Sequence, residues 1–421
     1  MLHQEMHQHL FVMDTSCLFS RDTQSFSAML RSNIKSQPGQ YWLDLDERLQ
    51  ACLKELFAAY DVEQLMTIEV FAKPGFYGGF LLRPSGKLFD MKEENFVQTA
   101  LDRPMLWKIP RQEAGETGSL EYKDSDLMNQ VTESEFLEII EADAVVIGKE
   151  RMIDIIVILI IVLHNEYFKA NSSFILNYHI YGDPANWKTT GLTWIRGFLG
   201  MAFAESQSSS LAACLSAASA ARCFGLLLED FQGLMGERLA TLINQGSSCG
   251  TVATSTKKHG KEIIQGPSVL VSNRPKAGCV LGLGRSDEKT PEQVRQASKE
   301  RFIFCDVDGW EEMDDSKGNK TEMEEAYHQR NTSMRSRLIS PLFNLTDSAT
   351  DDDFAKGREV VAEVTGAIDV QISTRYQKQF AIIAGFLGTV IPDEDRNEWI
   401  FTKSDDHASR HSRQTDLSVA R

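Results

Sequence analysis

The chain has 421 residues, with 42% hydrophobic and 25% charged content, enough apolar surface for two or three cores. Its formal net charge of −16 excludes indiscriminate coating of nucleic acid by the whole surface, though not a local basic groove. Seven cysteines, an odd number with no pair two residues apart, point to free thiols in a reducing compartment rather than a disulfide frame or a zinc site.

Residues 43–60 carry Leu45, Leu49, Cys52, Leu53, Leu56 and Phe57 at helical spacing, which predicts an amphipathic helix. Residues 67–71 and 79–83 read as short strands around a turn at Lys73-Pro74-Gly75. Residues 111–119 read as a loop. Thr132 followed by Glu135 is a capping box, so a helix should start there and break at Gly148. A second helix over 151–170 is apolar on all faces and belongs in the middle of a helical lobe. Its nine-residue apolar run, 155–163, is too short for a bilayer crossing that needs about 20 residues. No secretory signal is expected from the first residues, and an intracellular place is the expectation.

Gly182-Asp183-Pro184 marks a turn, and 186–244 is expected to hold two or three more helices, with an Ala/Ser-rich stretch over 208–228 for close packing. After a linker at 245–250, short strands are expected at 269–271 and 279–283, and Thr290-Pro291-Glu292-Gln293 opens a helix. Residues 306–325 read as an acidic loop, 351–367 and 373–390 as helices, and 403–421 as a flexible polar tail. The expected fold is mainly α: two helical lobes joined by a basic connector, with a small mixed α/β N-terminal part. The boundaries are a mixed region over 1–125, an N-lobe core over 126–250, a connector over 251–301, a C-lobe over 302–403 and a tail over 404–421.

The connector holds ten cationic residues against five acidic ones, whereas 306–369 holds seven against sixteen. Charges interleaved with Gly and Ser can follow a phosphate backbone. Lys257, Lys258, Lys261, Arg274 and Lys276 are the candidate phosphate contacts. Downstream, Phe380, Ile383, Ala384 and Leu387 share a helix face, and Tyr376 flanked by Arg375 and Lys378 could stack a base and pair a phosphate at its entrance.

Tyr376, Phe380, Ala381 and Gly385 resemble the aromatic-led core motif of nucleoproteins from non-segmented negative-strand RNA viruses. Gln377 stands in place of the usual Pro, Gln371 in place of a Phe and Ala384 in place of Met. The resemblance covers about ten residues. It implies a non-catalytic protein that clamps single-stranded RNA between two helical lobes and self-assembles into homo-oligomers. A viral polymerase or phosphoprotein would be its partner, with no cofactor and no membrane insertion.

A third pattern, Phe302 to Gly309, is an apolar strand ending in Asp306-Val307-Asp308-Gly309 and resembles the first motif of haloacid-dehalogenase-type phosphatases. That resemblance implies phosphoryl transfer to Asp306, acid/base work by Asp308 and a bound Mg²⁺. Ser340, Lys356 or Lys378, and Asp393 or Asp395 would fill the remaining roles. The following residues read as helical, without the alternating strands a doubly wound sheet needs. Gly282-Leu283-Gly284 lacks a third glycine, and no Walker-type loop, zincin motif or nucleophile elbow is read. His3, His7 and His9, like His407 and His411, sit in terminal segments and are poor candidates for a metal.

Overall fold

The structure is a computed structural model. It describes residue 55, residues 69–71, 74–83, 87–97, 105–107, 124–172, 174–182, 194–195, 197–198, 205–206, 227–229, 251–253, 261–263, 266–273, 301–306, 322, 325–329, 335–368 and 372–419. The helix at 43–60, the strand at 279–283 and the helix opened by Thr290 lie outside these, residue 55 excepted. The chain divides into two units, one made of 1–72 and 98–115, the other of 73–97 and 116–421.

In the first unit β1 (Glu69–Phe71) pairs in parallel with β6 (Met105–Trp107). The strand expected at 67–71 is therefore present, but its partner is not 79–83. The second unit opens on an antiparallel meander of β2 (Gly75–Tyr77), β3 (Phe80–Leu82), β4 (Leu88–Asp90) and β5 (Asn95–Phe96). The hairpin turn is Gly78-Gly79, with φ of 44° and 103°, rather than Lys73-Pro74-Gly75. A two-residue loop with both φ positive matches the twist of the strands it joins, and glycine reaches it without strain. The Asp90 carboxylate accepts from the backbone N–H of Lys92 (3.0 Å) and Glu93 (3.2 Å), which turns the chain toward β5.

Helix predominates among the described residues, so the chain is mainly α. After the short α1 (Asp124–Leu127), α2 (Glu133–Ile147) starts at the expected capping box. The Thr132 hydroxyl accepts from Glu135 N–H, and the Glu135 carboxylate accepts from Thr132 N–H at 2.8 Å. Gly148, at φ 90°, separates it from α3 (Lys149–Leu163). Every residue of α3 from Met152 to Leu163 is buried, as its all-round apolar pattern requires. α4 (Asn165–Ser172) follows.

The C-terminal part consists of α5 (Ile339–Asp347), α6 (Asp351–Ala367), α7 (Thr374–Leu387) and α8 (Asp393–Val419). α6 and α7 lie close enough that a Cβ at Gly385 would sit 2.3 Å from Phe354 Cδ1, and one at Gly357 2.5 Å from the Ala381 carbonyl. The segment expected as a flexible tail is instead part of α8. Asp393, Glu394 and Asp395 favour the positive end of the helix dipole there, so they open the element. Arg396, Trp399, Ile400, Lys403, Ser404, His407 and Ala408 form its buried stripe. More than half of that stripe is polar, which is why hydropathy reads it as solvated.

The structure's largest departure from expectation is a five-stranded sheet. It contains β7 (Asn177–Gly182), β8 (Glu205–Ser206), β9 (Leu227–Glu229), β12 (Val269–Asn273) and β13 (Phe302–Asp306), with β10 (Thr251–Ala253) and β11 (Lys261–Ile263) forming a separate hairpin. The order across the sheet is β13-β7-β12-β9-β8 and all pairings are parallel. The stretch expected to hold two or three helices, 186–244, thus contains β8 and β9, and the expected connector supplies β12. A parallel strand buried on both faces reads as an apolar run, which periodicity alone does not separate from buried helix. The Asn177 side chain fixes the register at the start of the sheet. Its Nδ2 donates to the Arg301 carbonyl (3.2 Å) and its Oδ1 accepts from Ser268 N–H (2.8 Å).

His164, between α3 and α4, carries the first testable consequence. Its ring lies between Phe343 (5.5 Å) and Phe386 (4.3 Å), and Nε2 sits 2.7 Å from the Thr346 hydroxyl. That hydroxyl donates to the Leu342 carbonyl at 2.7 Å, leaving its oxygen to accept from a neutral imidazole. Burial depresses the His164 pKa from 6.5 to about 4, against a smaller opposite pull from Asp347. Because the folded pKa is the lower one, the unfolded chain takes up the proton first as pH falls. Stability present above about 6.5 is therefore lost between there and about 4, by up to about 3 kcal/mol less whatever the half-buried ring retains of its solvation. Urea unfolding of the wild type and His164→Gln across that window should show a shallower pH dependence in the variant. Parallel profiles would refute the assignment.

Candidate functional site

Ranked by position in the chain, the five parallel strands run fifth, first, fourth, third, second across the sheet. The chain leaves β7 for the far edge at β8 and finally returns to β13 on the other side of β7. Winding therefore reverses around β7, and parallel sheets bind ligands in the crevice outside the strand carboxyl ends at such a reversal.

Four strand ends meet at that edge. Gly182, the last residue of β7, is in register with Asn273, the last of β12. Asp306, the last of β13, is in register with Tyr181. Glu229 closes β9, next to β12, and pairs with Ser206 of β8. The sequence adds chemistry to this frame. After Gly182 come Asp183-Pro184-Ala185-Asn186-Trp187-Lys188-Thr189, and residues 194–195 and 197–198 beyond them are helical. Trp194 is buried there, its indole N–H donating to Asp143 at 3.2 Å, so this segment is tied to α2.

Strand, glycine, five residues, Lys-Thr, helix is the layout of a phosphate-binding loop, with Trp187 in place of its second glycine. Reading the turn at Gly182 as an isolated turn, and requiring the second glycine, hid it. The signal available in the sequence was an apolar run ending in Gly182 with Lys188-Thr189 six and seven residues on. A second signal was missed beside it: Leu226-Leu227-Leu228 runs into Glu229-Asp230, an apolar strand ending in two carboxylates.

Behind the strand ends lies a buried charge network joining α3, α8 and β13. Lys403 donates to Asp154 (3.1 Å) and Glu150 (2.7 Å), while the Trp399 indole donates to the other Asp154 oxygen at 2.8 Å. Lys403 and Asp154 are 2% and 5% exposed. Burial opposes the Lys403 ammonium, but the Asp154 and Glu150 carboxylates outweigh it and lift its pKa well above the ordinary range, while burial raises the Asp154 pKa against the opposite pull of Lys403. Burial and the neighbouring Asp154 push the Cys305 thiol well up, which keeps it protonated and unreactive.

The residues expected to hold RNA fall in several places. Lys257, Lys258, Arg274 and Lys276 lie outside the described residues, and Lys261 begins β11. Arg375 and Lys378 are exposed on α7. Tyr376 does not line a groove. It is 1% exposed, with Phe380 (4.3 Å) and His407 (3.9 Å) stacked on its two sides, because α8 continues over it. Phe380, Ala381 and Gly385 are likewise interior to the helix packing. Of the residues considered for phosphatase chemistry, Asp306 ends the outer strand β13 and Asp308 lies outside the described residues. Asp395 pairs with Lys149 (2.5 Å), Asp393 pairs with Arg396 (2.9 Å), Ser340 is buried on α5, and Lys356 is exposed on α6. No group of three metal-ligating side chains occurs, and no helix is long and apolar enough to cross a membrane, among the described residues.

No family model and no curated protein matches the chain. Among solved structures it is similar to that of the active helicase Cch of SCCmec type IV, with a TM-score of 0.50 and 13% identity over 96% of this chain and 71% of that one. The likeness is one of fold.

Proposed function

We propose that the chain is a nucleoside-triphosphate-binding and -hydrolysing domain that works on nucleic acid. The observation that carries this reading is the placement of Gly182 at the winding reversal of an all-parallel sheet, with a Lys-Thr pair following after five residues, the spacing of a phosphate loop. In such a site backbone N–H groups and the lysine cradle the β- and γ-phosphates, and the following Thr with a strand-end carboxylate holds Mg²⁺. Lys188 and Thr189, with Asp230 or Glu229, would fill those roles here. The chain would supply the charge and the hydrogen bonds, and a bound Mg²⁺ would neutralise the phosphates. Since the similar structure is that of an active helicase, movement along nucleic acid is the work the hydrolysis would drive.

This departs from the non-catalytic expectation of an RNA-coating nucleocapsid protein. That reading shares the polyanion but gives the converging strand ends no task. Titrating the protein with a fluorescent ATP analogue in Mg²⁺ decides between them. Saturable binding that unlabelled ATP displaces supports the site. Absence of binding at millimolar nucleotide, together with ring or filament formation on RNA, would return the argument to the nucleocapsid.

A further inference from the structure

Away from the strand ends, α4, α6 and α7 enclose an open cleft of about 360 Å³, within the range of small-ligand pockets. Val361, Ala381 and Ile382 contribute its apolar lining, and Tyr167, Arg358 and Lys378 its functional groups. Tyr167 is 37% exposed, and Phe354 stacked against it at 5.1 Å and 18° holds its ring in place. Arg358 and Lys378 are both exposed, and neither forms an ion pair or hydrogen bond among the described residues. Among the described residues no carboxylate lines the cleft; Asp351, which interacts electrostatically with Tyr167, lies outside its wall. In a protein of net charge −16, two exposed cations beside a fixed, partly bare aromatic ring form a local anion site with a stacking surface.

We propose that this cleft binds a nucleobase–phosphate unit of single-stranded nucleic acid, the base against Tyr167 and the phosphates on Arg358 and Lys378. Base stacking on an aromatic ring tolerates any sequence, and two cations can follow a phosphate backbone. A free nucleotide offers the same chemistry in a shorter form. An acidic peptide offers only the charge and leaves the ring unused, which is why the nucleic acid is favoured. The assignment does not rest on triphosphate binding at the strand ends.

The test is fluorescence polarisation of a labelled oligothymidylate on the full chain, with no nucleoside triphosphate present, so that failure here and failure of the strand-end site are separate results. Arg358→Glu with Lys378→Glu should weaken binding by about tenfold or more and flatten its salt dependence. Tyr167→Ala should weaken it by about tenfold, while Tyr167→Phe, which keeps the stacking face, should not. Lys356→Glu, on the same helix but outside the cleft, is the control for net charge. Thymidine monophosphate separates the sources: an oligomer bound about tenfold more tightly assigns the cleft to a strand, and equal affinities assign it to a free nucleotide. If every variant binds like the wild type, or polyglutamate displaces the oligomer as well as unlabelled oligomer does, the proposal is overturned.

Discussion

Replacing Lys188 with alanine is expected to lower Mg²⁺-dependent triphosphate turnover by about 100-fold or more while leaving the melting temperature unchanged. Removing a single group that stabilises transition-state charge costs about that factor in sites of this kind. The lysine does more than one backbone donor, since it meets charge on the β- and γ-phosphates together. Glu229→Gln and Asp230→Asn should separate the carboxylates. The one that holds the metal loses Mg²⁺-dependent affinity, and the one that activates water keeps affinity and loses turnover. Trp187→Gly restores the glycine of the usual loop and should hold or raise affinity, because a missing Cβ lets the backbone approach the phosphates. Steady-state phosphate release and nucleotide titration of these four variants form the measurement. Undiminished turnover in Lys188→Ala would remove the strand-end site from consideration.

The second large effect concerns stability. Lys403→Met should cost about 3–5 kcal/mol, because it leaves the Asp154 carboxylate buried without its cation. Adding Asp154→Asn should recover most of that loss. The amide is uncharged and its oxygen still accepts from the Trp399 indole, which sits 2.8 Å from Asp154. Glu150 needs no compensation, since its side chain is 53% exposed and water can solvate it. Urea denaturation of the two single variants and the double variant gives the coupling. A Lys403→Met loss below about 1 kcal/mol would mean that the ion pair is not what seats α8 on α3.

Local chemistry was legible from the residues. The capping box at Thr132 and Glu135 and the helix at 351–367 follow from caps and period alone, as do the buried helix expected over 151–170, which divides at His164 into 149–163 and 165–172, and the one expected over 373–390, which ends at Leu387. The parallel sheet was not legible. Leu227-Leu228 and Val269-Leu270-Val271 are short apolar runs, and what makes them neighbours is pairing across long sequence separations. The same gap hid α8, whose packed stripe includes Lys403, Ser404 and His407. Such groups are buried only because Asp154 and the Tyr376 ring wait for Lys403 and His407 on other elements. It also hid the burial of Tyr376, which that helix encloses, while Tyr167 is partly exposed.

By itself, then, the sequence determined where α2 starts and breaks, that α3 must be interior, and that Asp306 ends an apolar strand; Lys188, Glu229 and Asp230 gain meaning only beside the sheet. Only the tertiary structure decided that Gly182, Glu229, Asn273 and Asp306 end on one edge of one sheet. The reason is physical. Caps and helical period act over a few residues, whereas strand order depends on which distant segments bury each other, and no local pattern records that choice.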